Sequence, residues 1–488
     1  MARSVKKNFL INSAYQIFQI ITPLVTTPYL SRVLGASGMG LYSYTYSIAL
    51  YFFMFAMLGM SNYGVRAIAA VADDAEKRSS VFCSVYASQL LIALPIFLLY
   101  LVYCFVMPQG GLAIALLWGM YVFSASINIT WLFFGMEDFA KVTIINFVAK
   151  VLELLGIFVL IHGPQDVYVY CGIDSLCFLV ISAFTFPFLR RYVYFVRPTW
   201  HRIKEHFLPN VRLFVPVIAI SLYTTLNSVL LGVMSTMEQT GYFDYSQKMA
   251  RMPLAVITAM GTVMFPHMSR MFAAGQRKES LDLLELSMWF MLAGGLAMAF
   301  GIVGIAPVFV PVFFGPGYES CVNVMIILAW IVPLICTANV IGGQYLLPLY
   351  RDNQYTASVC VGAAVNIALC LLLIERFGAL GAAIGAVTAE LAVLSVQAIL
   401  VRRELPLFRY ARNSLPFVIF GIIMLLSIRG IEGCLMNVVG VSVVMLVAEI
   451  AGGIVVFCAL ALTYCIITKN RYFYRLVSRG KSSDSKES

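Results

Sequence analysis

The sequence predicts an all-α membrane protein of about fourteen transmembrane helices. The chain is 61% hydrophobic and only 11% charged, whereas soluble domains carry about 25% charged residues. Apolar runs follow one another from Phe9 to Ile467, and each is close to the roughly 20 residues that cross a bilayer as a helix. The short alternating segments of a membrane β-barrel do not occur. Helices, which satisfy their own backbone in lipid, are therefore the predicted structure.

The apolar runs divide into fourteen predicted spans, bounded by charged residues or by Gly and Pro turns. The first run continues too far for a cleavable signal and lacks a small-residue cleavage site, so we expect it to remain in the membrane as a signal anchor. In chain order the predicted spans are 9–34, 41–62, 81–106, 112–134, 142–162, 168–189, 212–235, 243–268, 283–312, 320–347, 355–374, 380–401, 414–429 and 439–467.

The placement of basic residues predicts the orientation. The chain carries 33 Lys and Arg against 23 Asp and Glu, and most of the basic residues fall in alternate connections, together with both ends of the chain. Cytoplasmic segments of membrane proteins carry this excess of Lys and Arg. Both termini are therefore predicted to be cytoplasmic, in agreement with an even number of spans. Arg376 and Arg429 are the basic residues expected in outer loops.

A basic, aromatic segment at 191–211 separates two groups of six spans. Its amphipathic pattern is typical of a linker on a membrane surface, and this setting argues against nucleic-acid binding. Two six-helix bundles with the substrate between them are a known transporter plan. We expect the two bundles to surround a central cavity. The predicted domains are an N-terminal six-helix bundle (1–190), the cytoplasmic linker (191–211), a second six-helix bundle (212–401), two additional transmembrane helices (402–467) and a cytoplasmic tail (468–488).

The eighth span carries three charges on one helix face. Asp244, Lys248 and Arg251 are spaced four and then three residues apart, a spacing that aligns side chains on a helix. A basic residue near the bilayer centre costs about 2.5–3.5 kcal/mol on insertion scales, so such residues usually face a polar interior. We expect this helix to line a water-filled cavity that binds an anion. The alternative is that the side chains extend to the lipid headgroups.

Other spans also contain polar side chains. Gln16 and Gln19 lie on one face of the first span, where they could line the cavity or form hydrogen bonds between helices. Lys150 and Glu153 in the fifth span could pair with each other, or could line the cavity as part of an ion path. Two carboxylates come from later spans. Asp174 could hold a coupling cation or partner a base, and Glu390 has no partner nearby in the sequence.

The second span is aromatic, with Gly40, Tyr44, Ser47 and Tyr51 along one face. Tyrosines on such a face could stack on sugar rings. Tyrosine is also a common anchor at the membrane interface, and that is the role expected for Tyr42 and Tyr46, which lie off this face.

The end of the first span carries the sequence Pro28-Tyr-Leu-Ser-Arg32-Val-Leu-Gly35, followed by a turn of small residues into the tyrosine-rich second span. This stretch, the later Gly241-Tyr-Phe243 and the helix count resemble the polysaccharide-transport flippases of the multidrug/oligosaccharidyl-lipid/polysaccharide exporter superfamily. The resemblance implies a bacterial cytoplasmic (inner) membrane protein that moves a polyprenyl-pyrophosphate-linked glycan to the outer leaflet by alternating access. It implies no cofactor, a monomer among membrane lipids, and a glycan polymerase as a partner.

For such a flippase, the intramembrane bases are the expected ligands of the pyrophosphate, which is a dense anion. The predicted substrate-binding residues are Arg32, Lys150, Lys248, Arg251, Gln16, Gln19, Tyr44 and Asp244. The predicted coupling carboxylates are Glu153, Asp174 and Glu390.

Several chemistries are not indicated by the sequence. It contains no complete phosphate-binding loop ending in Gly-Lys-Ser/Thr, and its 11 cysteines and 4 histidines form none of the usual metal or dithiol spacings. The outer connections are too short for a folded catalytic domain, so we expect no enzyme activity. The remaining alternatives are a cation-coupled multidrug exporter of the same superfamily, a flippase for the peptidoglycan precursor, and a membrane enzyme of glycan assembly such as a polymerase or ligase.

Overall fold

The computed structural model describes residues 2–106, 110–470 and 472–473. Within these ranges the regular structure is helical, with no β-strand, which confirms the all-α class. The contacts divide the chain into two compact units, unit 1 (1–241) and unit 2 (242–488). The predicted tail, 468–488, lies outside the described residues except for 468–470 and 472–473.

Unit 1 consists of helices joined by short connections. The helices are α1 (Ala2–Met57), α2 (Met60–Ala69), α3 (Ala75–Val106), α4 (Leu112–Ile127), α5 (Thr130–Gly135), α6 (Phe139–Leu160), α7 (Val167–Ala183), α8 (Trp200–Glu205), α9 (Phe207–Thr224), α10 (Leu226–Met234) and the first turn of α11 (Met237–Arg251), with 3₁₀ turns at Pro164–Asp166 and Phe186–Arg191.

Unit 2 contains the rest of α11 and eight further helices. These are α12 (Leu254–Ala273), α13 (Arg277–Phe313), α14 (Ser320–Leu328), α15 (Ile331–Ala338), α16 (Asp352–Phe377), α17 (Ala379–Val401), α18 (Leu407–Val439) and α19 (Val443–Ile467), with a π-helix at Asn339–Leu346 and a 3₁₀ turn at Leu347–Leu349.

The helix lengths agree with about fourteen membrane crossings. In the described part of the chain, 12 helical stretches are long and apolar enough to cross a membrane. One of them, Tyr15–Ala69, has 55 residues. At about 1.5 Å per residue it would measure about 80 Å, more than twice the roughly 30 Å apolar core of a bilayer, so it provides two crossings. In addition, α11 and α12 occupy the place of the predicted span 243–268, with a break at Met252 and Pro253.

The two crossings of α1 are separated by a single break at Gly35. This residue has φ 67° and ψ 175°, a conformation that glycine adopts without the steric cost of a side chain. The sequence predicts a turn over 35–40 between the first two spans. Instead, the chain resumes helical geometry directly after Gly35, so that no loop separates the two crossings.

Gln89 of α3 is a buried amide whose contacts define the junction of α4 and α5. Its Nε2 donates to Ala125 O at 2.7 Å and to Asn128 O at 2.9 Å, and its Oε1 accepts from Trp131 Nε1 at 3.0 Å. Carbonyl groups at a helix end lack partners within the helix, and leaving such groups unpaired in an apolar interior is costly. By donating to these carbonyl groups, Gln89 allows α4 to terminate inside the bundle.

The linker predicted at 191–211 lies along α3 of unit 1. Arg78 Nε donates to Tyr192 O at 2.9 Å, and Tyr194 N donates to Ser79 Oγ at 3.2 Å. The division of the chain at this linker remains a prediction, because the compact units divide later, after residue 241.

Gly40 of α1 and Gly241 of α11 bring two backbones into direct contact. A Cβ added at Gly40 would lie 1.6 Å from Met237 O, and one added at Gly241 would lie 2.3 Å from Ala36 O. Neither approach is possible for a residue with a side chain. The sequence similarity between the stretches that begin at Gly40 and Gly241 therefore corresponds to a close helix contact of the kind that small residues permit in membranes.

The aromatic face of α1 continues this contact. A Cβ at Gly232 of α10 would lie 2.0 Å from the Tyr44 ring, and Tyr44 is only 2% exposed. The Tyr51 hydroxyl donates to Ser221 O of α9 at 2.9 Å. The face that the sequence predicts for sugar stacking is therefore covered by α9–α11 in this conformation.

In unit 2, the carboxylate of Glu404 stabilises the connection after the π-helix. It accepts from the Tyr345 hydroxyl at 2.5 Å and, with both oxygens at 2.9 Å, from Arg351 Nη1. The hydrogen bond from Tyr345, together with Arg351, lowers the pKa of Glu404 against the opposing effect of burial.

We predict that Gly241→Ala lowers the unfolding temperature of the purified protein, because overpacking costs about 1–3 kcal/mol. Gly294→Ala in α13 is the matched control, since a Cβ there meets no atom within 4 Å and alanine is the better helix former. Equal unfolding temperatures for the two variants would contradict the backbone contact.

We predict that the difference in stability between the wild type and Glu404→Gln depends on pH. A carboxyl with a lowered pKa stabilises the fold above its ordinary pKa, about 4.3 for Glu, and loses this contribution as the pH falls through the lowered value. The wild type should unfold at a higher temperature than the variant near pH 7, and the difference should disappear in acid. The exposed Glu375 provides the control Glu375→Gln. A difference that grows in acid would refute the assignment.

Candidate functional site

Unit 1 contains a buried cluster of charged groups, here called the unit 1 ion cluster, formed by Lys150, Glu153, Asp174 and Tyr42. Lys150 Nζ lies 2.6 Å from Glu153 Oε2 and 3.5 Å from Asp174 Oδ1. The side chains of Lys150, Glu153 and Asp174 are 24%, 9% and 6% exposed. The structure shows the pairing of Lys150 with Glu153, which the sequence left as one of two alternatives, and Asp174 adds a second carboxylate from the next helix.

Tyr42 completes this cluster. Its hydroxyl donates to Asp174 Oδ2 at 2.6 Å, and its ring stacks on Tyr170 with centroids 4.3 Å apart. It is 7% exposed. The expectation that Tyr42 is an interface anchor is therefore wrong. The sequence offered no sign of this contact, because Tyr42 and Asp174 are 132 residues apart.

Three other predicted site residues of α1 have exposed side chains. Gln16, Gln19 and Arg32 are exposed. Gln19 Nε2 donates to the Tyr15 hydroxyl at 2.9 Å, and Tyr15 lies within electrostatic range of Lys150. Arg32 Nη1 donates to Pro28 O at 3.1 Å.

In unit 2, the charged face predicted for the eighth span forms on α11. Lys248 Nζ and Asp244 Oδ2 are 2.7 Å apart, and Lys248 is 45% exposed. Arg251 is the last residue of α11, and its Nη2 lies 3.4 Å from Glu390 Oε1. Glu390 is 5% exposed. Its partner Arg251 is 139 residues away in the sequence, in agreement with the absence of a partner nearby.

Lys150, Lys248 and Arg251 each face at least one carboxylate. In water an ion pair of this kind contributes little, but in a low-dielectric interior the interaction is much stronger. An anionic ligand that reaches one of these bases has to compete with its carboxylate. No group of three or more His, Cys, Asp or Glu residues within the described ranges could hold a metal ion.

Two features of the structure were not predicted as sites. One is Tyr42, and the other is Glu449 of α19, which is completely buried. A carboxylate within a predicted span is itself a sequence sign of function, but the sequence alone gave Glu449 no role.

The fold and the apolar helices define a multi-pass α-helical membrane protein. The fold matches that of a structure entitled lipid II flippase MurJ, inward closed conformation, with a TM-score of 0.76, 14% sequence identity, and coverage of 95% of this chain and 100% of that chain. It also matches an inward-facing multidrug resistance MATE family transporter of the MOP superfamily, with a TM-score of 0.57, 12% identity, and coverage of 81% and 98%.

The chain belongs to the polysaccharide biosynthesis protein family, whose model matches residues 5–272. It is 23% identical over 405 residues to a candidate O-antigen transporter of Escherichia coli (strain K12), covering 82% of this chain and 97% of that protein. A candidate O-antigen transporter of Shigella dysenteriae is 19% identical over 398 residues, with 81% and 98% covered. The family resemblance predicted from the end of the first span is confirmed.

We predict that Lys150→Met destabilises the protein, because it leaves Glu153 and Asp174 buried without their cation. Removing one partner of a buried pair costs about 3–5 kcal/mol, which should appear as a lower unfolding temperature. Adding Glu153→Gln to this variant should restore part of the loss. A Lys150→Met protein that unfolds like the wild type would show that the ion cluster is not stabilised by Lys150.

Proposed function

We propose that this protein is a flippase that moves a polyprenyl-pyrophosphate-linked oligosaccharide, such as an O-antigen, capsule or exopolysaccharide repeat unit, from the inner to the outer leaflet of the bacterial cytoplasmic membrane. Both termini are then cytoplasmic, and the chain acts as a transporter without catalysing a covalent step. The family and the fold support this class of function, and the relatives named as O-antigen transporters support the choice of substrate.

The observation that carries the proposal is the presence of partly exposed cations next to buried carboxylates. One cation is on the apolar helix α6 and the other is at the end of α11, directly before the apolar helix α12. Lys150 and Arg251 are 24% and 23% exposed, so each can be reached from one side while its carboxylate partner stays covered. A pyrophosphate group offers charge-assisted hydrogen bonds to such bases. Lys248 in the last turn of α11 and Arg32 just before the break at Gly35 add exposed positive charge.

The carboxylates give this binding a means of control. When Glu153, Asp174 or Glu390 takes up a proton, its base loses a counter-charge and becomes available to the pyrophosphate. When the proton leaves, the carboxylate competes for the base and displaces the substrate. Proton movement is therefore the proposed source of coupling, with these three carboxyls as the carriers.

Tyr44 and the face around it give the proposed cycle a closed state. In the predicted orientation, Gly40 and Gly241 lie at the outer ends of their helices, so their contact closes the outer side of unit 1. Tyr44, buried against Gly232, becomes available to sugar rings only when α1 separates from α10. Alternating access then links outward opening to exposure of the aromatic face.

The charge pattern favours this substrate over the cationic drugs of a multidrug exporter. A site for cationic drugs requires carboxylates that are accessible, whereas Glu153 and Glu390 are covered and the accessible groups are the bases. The related folds of both kinds of transporter do not distinguish between these substrates.

The experiment that tests the function is leaflet transfer of a polyprenyl-pyrophosphate oligosaccharide in proteoliposomes that contain the purified protein. We predict that Lys248→Ala and Arg251→Ala each lower the rate about 10- to 100-fold, because hydrogen bonds between charged groups contribute about 1.5–3 kcal/mol and each 1.4 kcal/mol is tenfold. Lys248→Arg, which keeps the charge, should retain more activity than Lys248→Ala.

Two controls separate substrate binding from folding. Arg376→Ala removes an exposed base outside the site and should leave transfer unchanged. Arg251→Ala combined with Glu390→Gln removes the uncompensated buried carboxylate, so it should recover stability but not transfer. Wild-type rates in both the Lys248→Ala and the Arg251→Ala proteins would favour side chains that extend to the headgroups and would contradict the proposed site.

A further inference from the structure

Glu449 is a buried carboxyl group on α19, the last helix, and has no role in the site assigned above. It is 0% exposed, and neither of its side-chain oxygens has a hydrogen-bond partner among the described residues. No basic group lies within ion-pair distance of it in the described ranges. A carboxylate in this state would be an isolated charge in an apolar interior, which proteins avoid by keeping the group neutral.

The packing around Glu449 excludes lipid. One turn further along α19, a Cβ at Gly453 would lie 3.0 Å from Ile428 Cδ1 of α18, and a Cβ at Gly304 of α13 would lie 2.8 Å from the same atom. The small residues thus let three helices meet next to the carboxyl. The adjacent turn of α19 packs Met445 and Leu446 against Val308 of α13.

Arg429 and Glu432 of α18 lie within electrostatic range of Glu449. Arg429 Nη1 lies 2.6 Å from Glu432 Oε2, and the two side chains are 39% and 23% exposed. The sequence predicts Arg429 in an outer loop, but α18 continues to Val439, so both residues lie on the helix. Beside this stretch, α13 contributes the apolar side chains Ile305, Val308, Phe309 and Val312.

Glu432 and Glu449 lie at similar distances from the connection between their helices. Glu432 precedes the end of α18 by seven residues, and Glu449 follows the start of α19 by six, so each is about 10 Å from its helix end at about 1.5 Å per residue. One guanidinium and two carboxyls thus share one level of the hairpin. The group is electrically neutral when it holds a single proton.

We infer that Glu449, with Arg429 and Glu432, forms a proton-binding site. In the protonated state of this site, the proton is on Glu449 while Arg429 is paired with Glu432, as the structure shows. On release, the O–H bond of Glu449 breaks, the proton passes to water at the outer ends of α18 and α19, and Arg429 turns towards the new carboxylate. Glu432 is then left to water, which its partial exposure permits. No oxidant or co-reactant is required.

This site adds a proton carrier to the proposed flippase, and only its link to transport rests on the proposed function. Its protonation can be measured without a substrate, by infrared difference spectroscopy of the full-length protein in lipid between acid and alkaline pH. The carbonyl band of a protonated carboxyl should disappear as the pH rises in the wild type. This component should be missing from Glu449→Gln, which is isosteric with the protonated acid and should keep the wild-type unfolding temperature. Glu449→Asp should regain a titrating band.

Two variants of α18 sharpen this measurement. Glu432→Gln leaves Arg429 without its partner and favours ionised Glu449, so the midpoint of the titration should move to lower pH. Arg429→Gln removes the cation and should move the midpoint to higher pH. An unchanged band in Glu449→Gln, a band that does not titrate, or midpoints that do not respond to these substitutions would overturn the site.

The link to transport is tested in proteoliposomes with an imposed pH gradient, with a short polyprenyl-pyrophosphate oligosaccharide as the probe. The gradient should accelerate transfer by the wild type and by Glu449→Asp, whereas Glu449→Gln should lose this acceleration. Full acceleration in Glu449→Gln would overturn a role in coupling. If the wild type moves no oligosaccharide at all, the proposed function fails, while the infrared titration still decides whether Glu449 binds a proton.

Discussion

The structure depends on one constraint, that a charge inside an apolar helix bundle requires a counter-charge. Lys150 and Arg251 meet this requirement through carboxylates that are themselves almost fully covered. A helix with one of these bases would insert into lipid at a cost of about 2.5–3.5 kcal/mol, and its partner carboxylate would also have to be desolvated. The ion pairs reduce the cost of placing these helices in a membrane bundle, while the bases themselves remain partly exposed.

The same constraint separates Glu449 from the other intramembrane acids. Glu153, Asp174 and Glu390 each face a base, and this offsets part of the cost of burying a carboxylate. Glu449 faces none within ion-pair distance among the described residues, and its oxygens accept no hydrogen bond there. Two kinds of buried carboxyl therefore occur among the described residues, one that faces a base and one that has no base within ion-pair distance.

The sequence was sufficient for features that depend on composition and local spacing. The all-α fold and its number of crossings follow from the length and apolarity of the spans. The Lys150–Glu153 pair and the charged face of α11 follow from helical periodicity. The contacts of Asp174 with Tyr42, and of Arg251 with Glu390, could not be predicted, because they join residues 132 and 139 positions apart and depend on which helices pack together. The covered state of Tyr44 is likewise a result of packing, since periodicity defines a helix face but not what lies against it.

The break at Gly35 has a consequence for the register of everything that follows it. In an ordinary surface loop an inserted residue is absorbed by the slack of the chain. Here helix precedes and follows a single glycine, so there is no slack to absorb a change in length. One residue added or removed would turn the second crossing by about 100°, given 3.6 residues per turn, and would carry Gly40 and Tyr44 away from α10 and α11. The fixed number of residues between Gly35 and Gly40 therefore determines which side chains of the second crossing face α10 and α11.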